Sequence, residues 1–173
     1  AGSQRLGMLG GARAEERVLV ACAGAGGKTL ALLHSNAHIT SSDIDNHRLE
    51  RLRKRLGSYA TQVTIANLSK DEDSMHAHAF DRVLLDVPCS GTGTARRAPD
   101  LMWRLTPTQL DQYISSQKSL LNRYAGWVRP GGYLIYGTCS VLPQENEDQI
   151  TDFLLRHPEF KRVPVAQTLG HEL

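Results

Sequence analysis

The feature that most constrains this chain is its rhythm, in which short β-rich runs alternate with helical stretches from Val18 to Arg156. Val18 to Cys22 reads as an apolar strand ending in the glycine-rich turn Gly24-Ala25-Gly26-Gly27, and a helix follows from Lys28 to Ser35. Ala37 to Ser42 predicts a second strand that ends at Asp43. From Asp45 the pattern turns helical, because Leu49, Leu52 and Leu56 recur at helical spacing and leave the arginines on the outer faces. Gln62 to Ala66 and Arg82 to Asp86 predict the third and fourth strands. The fourth is almost continuously apolar, as a strand buried on both faces should be. Pro88 to Pro107, rich in Gly, Pro and Arg, predicts a long loop. A helix from Thr108 to Trp127 then leads through the turn Arg129-Pro130-Gly131-Gly132 into a fifth strand, Tyr133 to Thr138, and a last helix spans Glu145 to Arg156. Parallel neighbours need a crossover element, so this alternation predicts an α/β fold with a mainly parallel sheet and helices on both faces. Ligands of such sheets bind outside the carboxyl ends of the strands.

The 173 residues are enough for one domain and too few for two. No apolar run approaches the roughly 18 residues of a membrane span. The opening Ala1-Gly2-Ser3-Gln4 lacks a methionine, so the native start is expected to lie outside these residues. A net charge of +2 decides nothing about a nucleic-acid partner. Cys22, Cys89 and Cys139 are odd in number and far apart, a poor disulfide framework that points to a reducing compartment inside the cell, cytoplasm or mitochondrial matrix. The seven histidines include His76 and His78, but no CxxC or HxxxH spacing accompanies them, so no metal is expected.

The loop Cys22-Ala23-Gly24-Ala25-Gly26-Gly27-Lys28-Thr29 invites two nucleotide-binding readings and fits neither. A phosphate-binding P-loop needs a glycine where Cys22 stands, and the dinucleotide fingerprint needs one where Thr29 stands. What remains is a tight glycine turn that lets a ligand approach the backbone, with an acid, Asp43, 19 residues after Gly24 and suited to ribose hydroxyls. A nucleoside cofactor without a pyrophosphate suits such a loop. A tight strand-to-helix turn with no ligand explains the glycines as well.

Two cysteine motifs follow neighbouring strands. Asp86-Val87-Pro88-Cys89-Ser90-Gly91-Thr92-Gly93 comes after the fourth, and Thr138-Cys139-Ser140 ends the fifth. A single cysteine is more often a small buried apolar residue than a nucleophile. Two at adjacent strand ends, one of them beside an acid, suit pyrimidine methylation. Carbon 5 of cytosine is a poor nucleophile until a thiolate adds to carbon 6, and a carboxylic acid at ring nitrogen 3, here Asp86, stabilises the adduct. From the residues alone either Cys89 or Cys139 could be the attacking thiol.

These motifs resemble the Sun/Fmu-type RNA cytosine-5 methyltransferases, the Nol1/Nop2/Sun family, over a span from Gly2-Ser3-Gln4 to the end of the chain. The most specific elements are the 86–93 motif and Tyr136-Gly137-Thr138-Cys139-Ser140-Val141-Leu142-Pro143-Gln144-Glu145-Asn146-Glu147. The glycine loop is similar to the family's Cys-Ala-Ala-Pro-Gly-Gly-Lys-Thr, and Arg97-Ala98-Pro99-Asp100 with Trp103-Arg104 resembles its Arg-x-Pro-Asp segment. The resemblance implies a Rossmann-like fold that binds S-adenosyl-L-methionine, with Cys139 as nucleophile and Cys89 aiding product release. It places Asp86 and Lys28 at the catalytic end, and Cys22, Ala23, Gly24, Gly26, Gly27, Lys28, Asp43, Asn67 and Asp86 around the cofactor. It implies an RNA partner, ribosomal RNA first and transfer RNA as the alternative, and leaves room for ribosomal or assembly proteins. Two positions depart from the pattern: Val20 stands where the family has Asp, and Asn67 where it has the acid that meets adenine. They motivate a rival reading, a non-catalytic RNA-binding assembly factor on the same fold. The family's closing strand hairpin and N-terminal RNA-binding extension are expected to lie outside residues 1–173, which form one catalytic domain.

Two basic groups complete the reading. Arg48, Arg51, Arg53, Lys54 and Arg55 read as the solvated face of a helix, with a phosphate backbone as the alternative. Arg97, Trp103 and Arg104 lie in a strand-end loop where they can hold a phosphate and stack an extruded base. Trp127, Tyr133 and Tyr136 are expected in the core.

Overall fold

Alternation within the strands decides how the layers form. In β1 (Arg17–Ala21), Val18 and Val20 join one buried cluster while Leu19 and Ala21 join another, so both faces of the strand are covered. The computed structural model describes residues 11–68, 77–96 and 98–164. One layer comprises α1 (Gly27–Leu32) and α2 (Asn46–Leu56), which set Leu32, Leu49, Leu52 and Leu56 against Val18, Val20 and Leu84. The other comprises α4 (Pro107–Ala125) and α5 (Glu147–Arg156), which follow the short α3 (Leu101–Arg104) and bring Leu121, Tyr124 and Phe153, with Trp127, onto Leu19, Val83 and Leu85.

Between them lies a five-stranded, wholly parallel sheet in the order β3-β2-β1-β4-β5. The remaining strands are β2 (His38–Ser42), β3 (Val63–Ala66), β4 (Phe80–Asp86) and β5 (Val128–Gly137). The chain starts in the middle of the sheet, steps outward to β3, then returns past β1 to continue at β4. Connections therefore diverge between the carboxyl ends of β1 and β4, the switch point where such sheets bind ligands. The fold is Rossmann-like, with helices on both faces.

Local chemistry sets the element ends. The Asp45 carboxylate accepts from the backbone N–H groups of His47 and Arg48 and caps α2, while Arg53, Lys54 and Arg55 lie in its last turn, where the helix dipole favours cations. Thr106 and Gln109 form a reciprocal capping box, with Pro107 next to the cap, so α4 starts one residue before Thr108. It stops at Ala125, which leaves Trp127 buried just beyond the helix. α5 begins at Glu147, because Pro143–Glu145 form a separate 3-10 turn. The 88–107 segment is less irregular than its composition suggests: it holds a 3-10 turn at Thr92–Thr94 as well as α3.

Two expectations about β5 are corrected. The strand begins at Val128, paired with Phe80, and Tyr133 pairs with Arg82, so Arg129 to Gly132 is an excursion inside the strand. Gly131 takes φ +77°, and a Cβ on Gly132 would lie 2.7 Å from the Asp81 carbonyl oxygen, which explains glycine at both positions. Tyr133 is 39% exposed rather than core, with the Arg82 guanidinium 4.5 Å from its ring centroid.

Candidate active site at the switch point

The glycine loop is built from left-handed residues. Cys22, Gly24 and Gly26 have φ of 54°, 55° and 84°. A Cβ on Gly26 would fall 2.1 Å from Leu52 Cδ1, so this glycine lets the loop lie against α2. A Cβ on Gly24 would meet nothing within 4 Å, so the backbone there faces open space. The Ala23 N–H donates to the Ser42 carbonyl at 2.8 Å, and the Gly24 N–H to Asp43 Oδ2 at 2.9 Å. Asp43 Oδ1 accepts from the Asp45 N–H at 3.0 Å, the Arg48 guanidinium stands 3.8 Å from Oδ2, and the Asp43 side chain is only 2% exposed. This acid thus ties the ends of β1 and β2 together. Asn67, just beyond β3, donates to Asn46 Oδ1 at 2.7 Å and to the Ile44 carbonyl at 3.3 Å.

Lys28, in the first turn of α1, is buried, and its ammonium pairs with Asp86 at the end of β4, across the switch point. Thr29 Oγ1 and Ser41 Oγ share a hydrogen bond of 2.8 Å beneath the loop. Burial pushes the Cys22 thiol up to about 11, with the Asp43 and Asp86 carboxylates adding to the effect.

The two cysteine motifs prolong the β4–β5 pairing past the end of the sheet. The Val87 N–H donates to the Gly137 carbonyl at 3.1 Å, the Gly93 N–H to the Cys139 carbonyl at 2.9 Å, and the Val141 N–H to Thr92 Oγ1 at 3.0 Å. A Cβ on Gly93 would sit 2.8 Å from the Cys139 oxygen, so only glycine lets the loops approach this closely. The Sγ atoms of Cys89 and Cys139 are 3.2 Å apart. The hydrogen bond from the Cys89 thiol is the largest influence on Cys139. Burial and the Asp86 carboxylate oppose it, and Cys139 settles at about 7, below the ordinary thiol range. Cys89, as the donor of that bond and partly buried, is held well above it. The pair thus has a reactive member and a proton-holding member.

Below the thiols lies a polar cluster that sequence reasoning missed. Glu145 is fully buried; its Oε1 accepts from the Ser90 N–H at 2.8 Å and Gln117 Nε2 at 2.9 Å, and its Oε2 from the Ser90 hydroxyl. The Ser140 hydroxyl lies 3.2 Å from Ser90 Oγ and 3.0 Å from Thr92 Oγ1. Gln117 was detectable in principle, as a polar residue on the otherwise apolar stripe Gln117, Leu121, Tyr124 of α4.

Of the proposed RNA contacts, Trp103 on α3 is 91% exposed, and the Arg104 guanidinium pairs with Asp100 at 2.9 Å. Arg97 lies outside the described residues, as does His76. α3 is tied to the site by its first residue: Leu101 Cδ1 lies 3.6 Å from where a Gly91 Cβ would be. Arg51, Arg53, Lys54 and Arg55 are exposed on α2, and Arg55 reaches back to the Ala25 carbonyl at 3.2 Å. Among the described residues no group of three or more His, Cys, Asp or Glu stands together as a metal site.

Fold and centre define a class: a doubly wound domain with an open glycine loop at its switch point and a hydrogen-bonded thiol pair beside a Lys–Asp ion pair. Residues 8–172 match the sequence profile described as 16S rRNA methyltransferase RsmB/F, and the chain belongs to that family. Curated relatives include the Ribosomal RNA small subunit methyltransferase B of Shewanella oneidensis, 39% identical over 159 residues, and that of Pectobacterium atrosepticum, 38% identical over 168. Each alignment covers 90% of this chain, which spans only 37% and 39% of those relatives. Among solved structures, PH0851 superposes with a TM-score of 0.85 at 35% identity, covering 94% of this chain and 38% of that one. NSun6 from Pyrococcus horikoshii, solved with SFG, shares the fold at a TM-score of 0.76 and 20% identity, covering 89% of this chain and 40% of that one.

Proposed function

We propose that this chain is the catalytic domain of an S-adenosyl-L-methionine-dependent RNA methyltransferase that modifies carbon 5 of a cytosine in ribosomal RNA. The observation that carries the reading is the 3.2 Å contact between Cys89 and Cys139, with Cys139 the more acidic thiol and Asp86 beside it. The names of the curated relatives supply the substrate class.

The open backbone at Gly24, without a phosphate cradle, fits a nucleoside sulfonium. Ala23, Gly24, Gly26 and Gly27 would line its binding site, with Asp43 and Asn67 at its ribose and adenine end and Lys28 and Asp86 at its reactive end. When bound, the cofactor supplies an electrophilic methyl group. Cys139 adds its thiolate to carbon 6 of the cytosine, which makes carbon 5 electron-rich. As the adduct forms, ring nitrogen 3 takes up the proton that Cys89 gives up, and the Asp86 carboxylate, oriented by Lys28, accepts the hydrogen bond from that N–H. Once Cys139 has become a thioether it no longer draws the Cys89 proton, so the largest influence holding Cys89 above the thiol range is gone and burial is what still opposes its ionisation. The Cys139 N–H, 3.3 Å from Cys89 Sγ, is then placed to stabilise a Cys89 thiolate. Cys89, having given up its own proton, accepts the carbon 5 proton while the Cys139–carbon 6 bond breaks and ring nitrogen 3 releases its proton to solvent, which restores both the ring and the thiol pair. Trp103 and Arg104 would meet the RNA at the rim.

The test is paired substitution. Cys139→Ala is expected to abolish 5-methylcytosine formation, and Cys89→Ala to accumulate a protein–RNA adduct that survives a denaturing gel. Methylation that persists in Cys139→Ala overturns the assignment.

A further inference from the structure

We infer that Glu145 is a positioning residue for the paired thiols: its buried carboxylate clamps the two cysteine loops at the separation that lets Cys89 and Cys139 share a proton. The inference rests on the thiol-pair reading above and extends it to a residue that touches neither sulfur.

Each cysteine is followed directly by a serine, and the serines meet over this carboxylate. Ser90 donates to Glu145 through both its N–H and its hydroxyl, and Ser140 hydrogen-bonds to the same group. The third partner comes from another layer: Gln117 of α4 donates to Glu145 Oε1 and, at 3.0 Å, to the carbonyl of Pro88, the residue before Cys89. Gln117 is itself held by Gln149 of α5, whose Nε2 donates to its Oε1 at 3.4 Å and to the Ile114 carbonyl at 2.8 Å. The Glu145 backbone is fixed as well, since Tyr136 of β5 donates its hydroxyl to the Glu145 carbonyl at 2.8 Å.

An ionised carboxylate with no exposed surface is costly unless its oxygens are satisfied. Among the described residues no cation pairs with Glu145, so neutral donors carry the whole burden. Burial pushes its pKa up, but the hydrogen bonds from Ser140, Ser90 and Gln117 outweigh that and hold it below the usual carboxylate range. A neutral glutamine of the same shape would keep an acceptor for the Ser90 N–H and Gln117 but would point its amide nitrogen at the Ser90 hydroxyl, which would have to turn from donor to acceptor. Scaffolding alone could use any packed group, whereas this one gathers donors from both loops that bear a thiol.

The experiment uses the intact protein and two readouts. The first is the pH profile of Cys139 alkylation by iodoacetamide, resolved by peptide mass spectrometry without RNA or methyl donor. The second is the single-turnover rate of methyl transfer together with RNA affinity. For Glu145→Gln the rate should fall about tenfold or more with RNA affinity within about twofold, as misplacement of reacting groups produces. The alkylation midpoint should rise, because loss of the shared thiol hydrogen bond outweighs removal of the Glu145 charge, which by itself holds the Cys139 thiol up. Glu145→Asp, which keeps the charge and shortens the reach, should recover part of both. A folded Glu145→Gln protein with the wild-type profile and rate overturns the inference. If that variant does not fold, Ser90→Ala decides, because it removes one donor and leaves the carboxylate; an unchanged midpoint there overturns it equally. A wild-type protein with an acid-shifted Cys139 but no methyl transfer would defeat the proposed function and leave the clamp standing.

Discussion

Removing the Cys89 thiol should change the reactivity of Cys139 in opposite directions at low and high pH. In the intact pair the hydrogen bond from Cys89 holds Cys139 at about 7, so about half of it is thiolate at neutrality. Cys89→Ala deletes that donor and leaves burial and the Asp86 carboxylate, both of which raise the pKa. A return to the ordinary value of about 8.5 would leave roughly 3% thiolate at pH 7, about a fifteen-fold loss. The freed thiolate is a stronger nucleophile, however, by about fivefold for a change of that size. Alkylation of Cys139 should therefore slow about threefold at pH 7, quicken about fivefold above pH 10, and show a midpoint moved up by about 1.5 units or more. Stopped alkylation with peptide mass spectrometry measures each point of the curve. Cys89→Ser, which still offers a hydroxyl donor, should fall in between. Identical midpoints in wild type and Cys89→Ala would refute the shared-proton account, whatever happens to activity.

Two glycines carry further expectations. Gly93→Ala would put a Cβ 2.8 Å from the Cys139 carbonyl, so the nucleophile loop must yield by a few tenths of an ångström; methyl transfer should fall about tenfold or more while the melting temperature drops by only a few degrees. Gly26→Ala places its Cβ 2.1 Å from Leu52 Cδ1 at φ +84° and should destabilise by about 1–3 kcal/mol in denaturant titration, a loss that Leu52→Ala in the same chain should not fully repair, because the left-handed backbone stays strained.

The sheet was readable because parallel strands buried on both faces leave apolar runs, and α2 because Leu49, Leu52 and Leu56 are spaced to cover one flank of it. The strand ends were readable too: placing Cys89 and Cys139 after adjacent parallel strands already implies one rim, and their sulfurs are in contact there. Harder to see was the Arg129–Gly132 excursion, since a glycine-rich segment inside a strand looks in sequence like the turn before one. Tyr133 was misjudged because an aromatic residue at an edge strand can cover a buried arginine instead of joining the core. The Glu145 clamp was invisible for a different reason. A glutamate near a helix start ordinarily faces water, and only the convergence of Ser90, Ser140 and Gln117, separated by dozens of residues, gives it a buried role.

The most direct trial of the chemistry is to let the protein act on RNA containing 5-fluorocytidine, whose carbon 5 cannot release a proton, and to sequence the peptide left bound to the nucleotide. The nucleotide should be attached to Cys139, and Cys139→Ala should leave none attached. Attachment at Cys89, or recovery of RNA with no protein bound to it, would contradict the account.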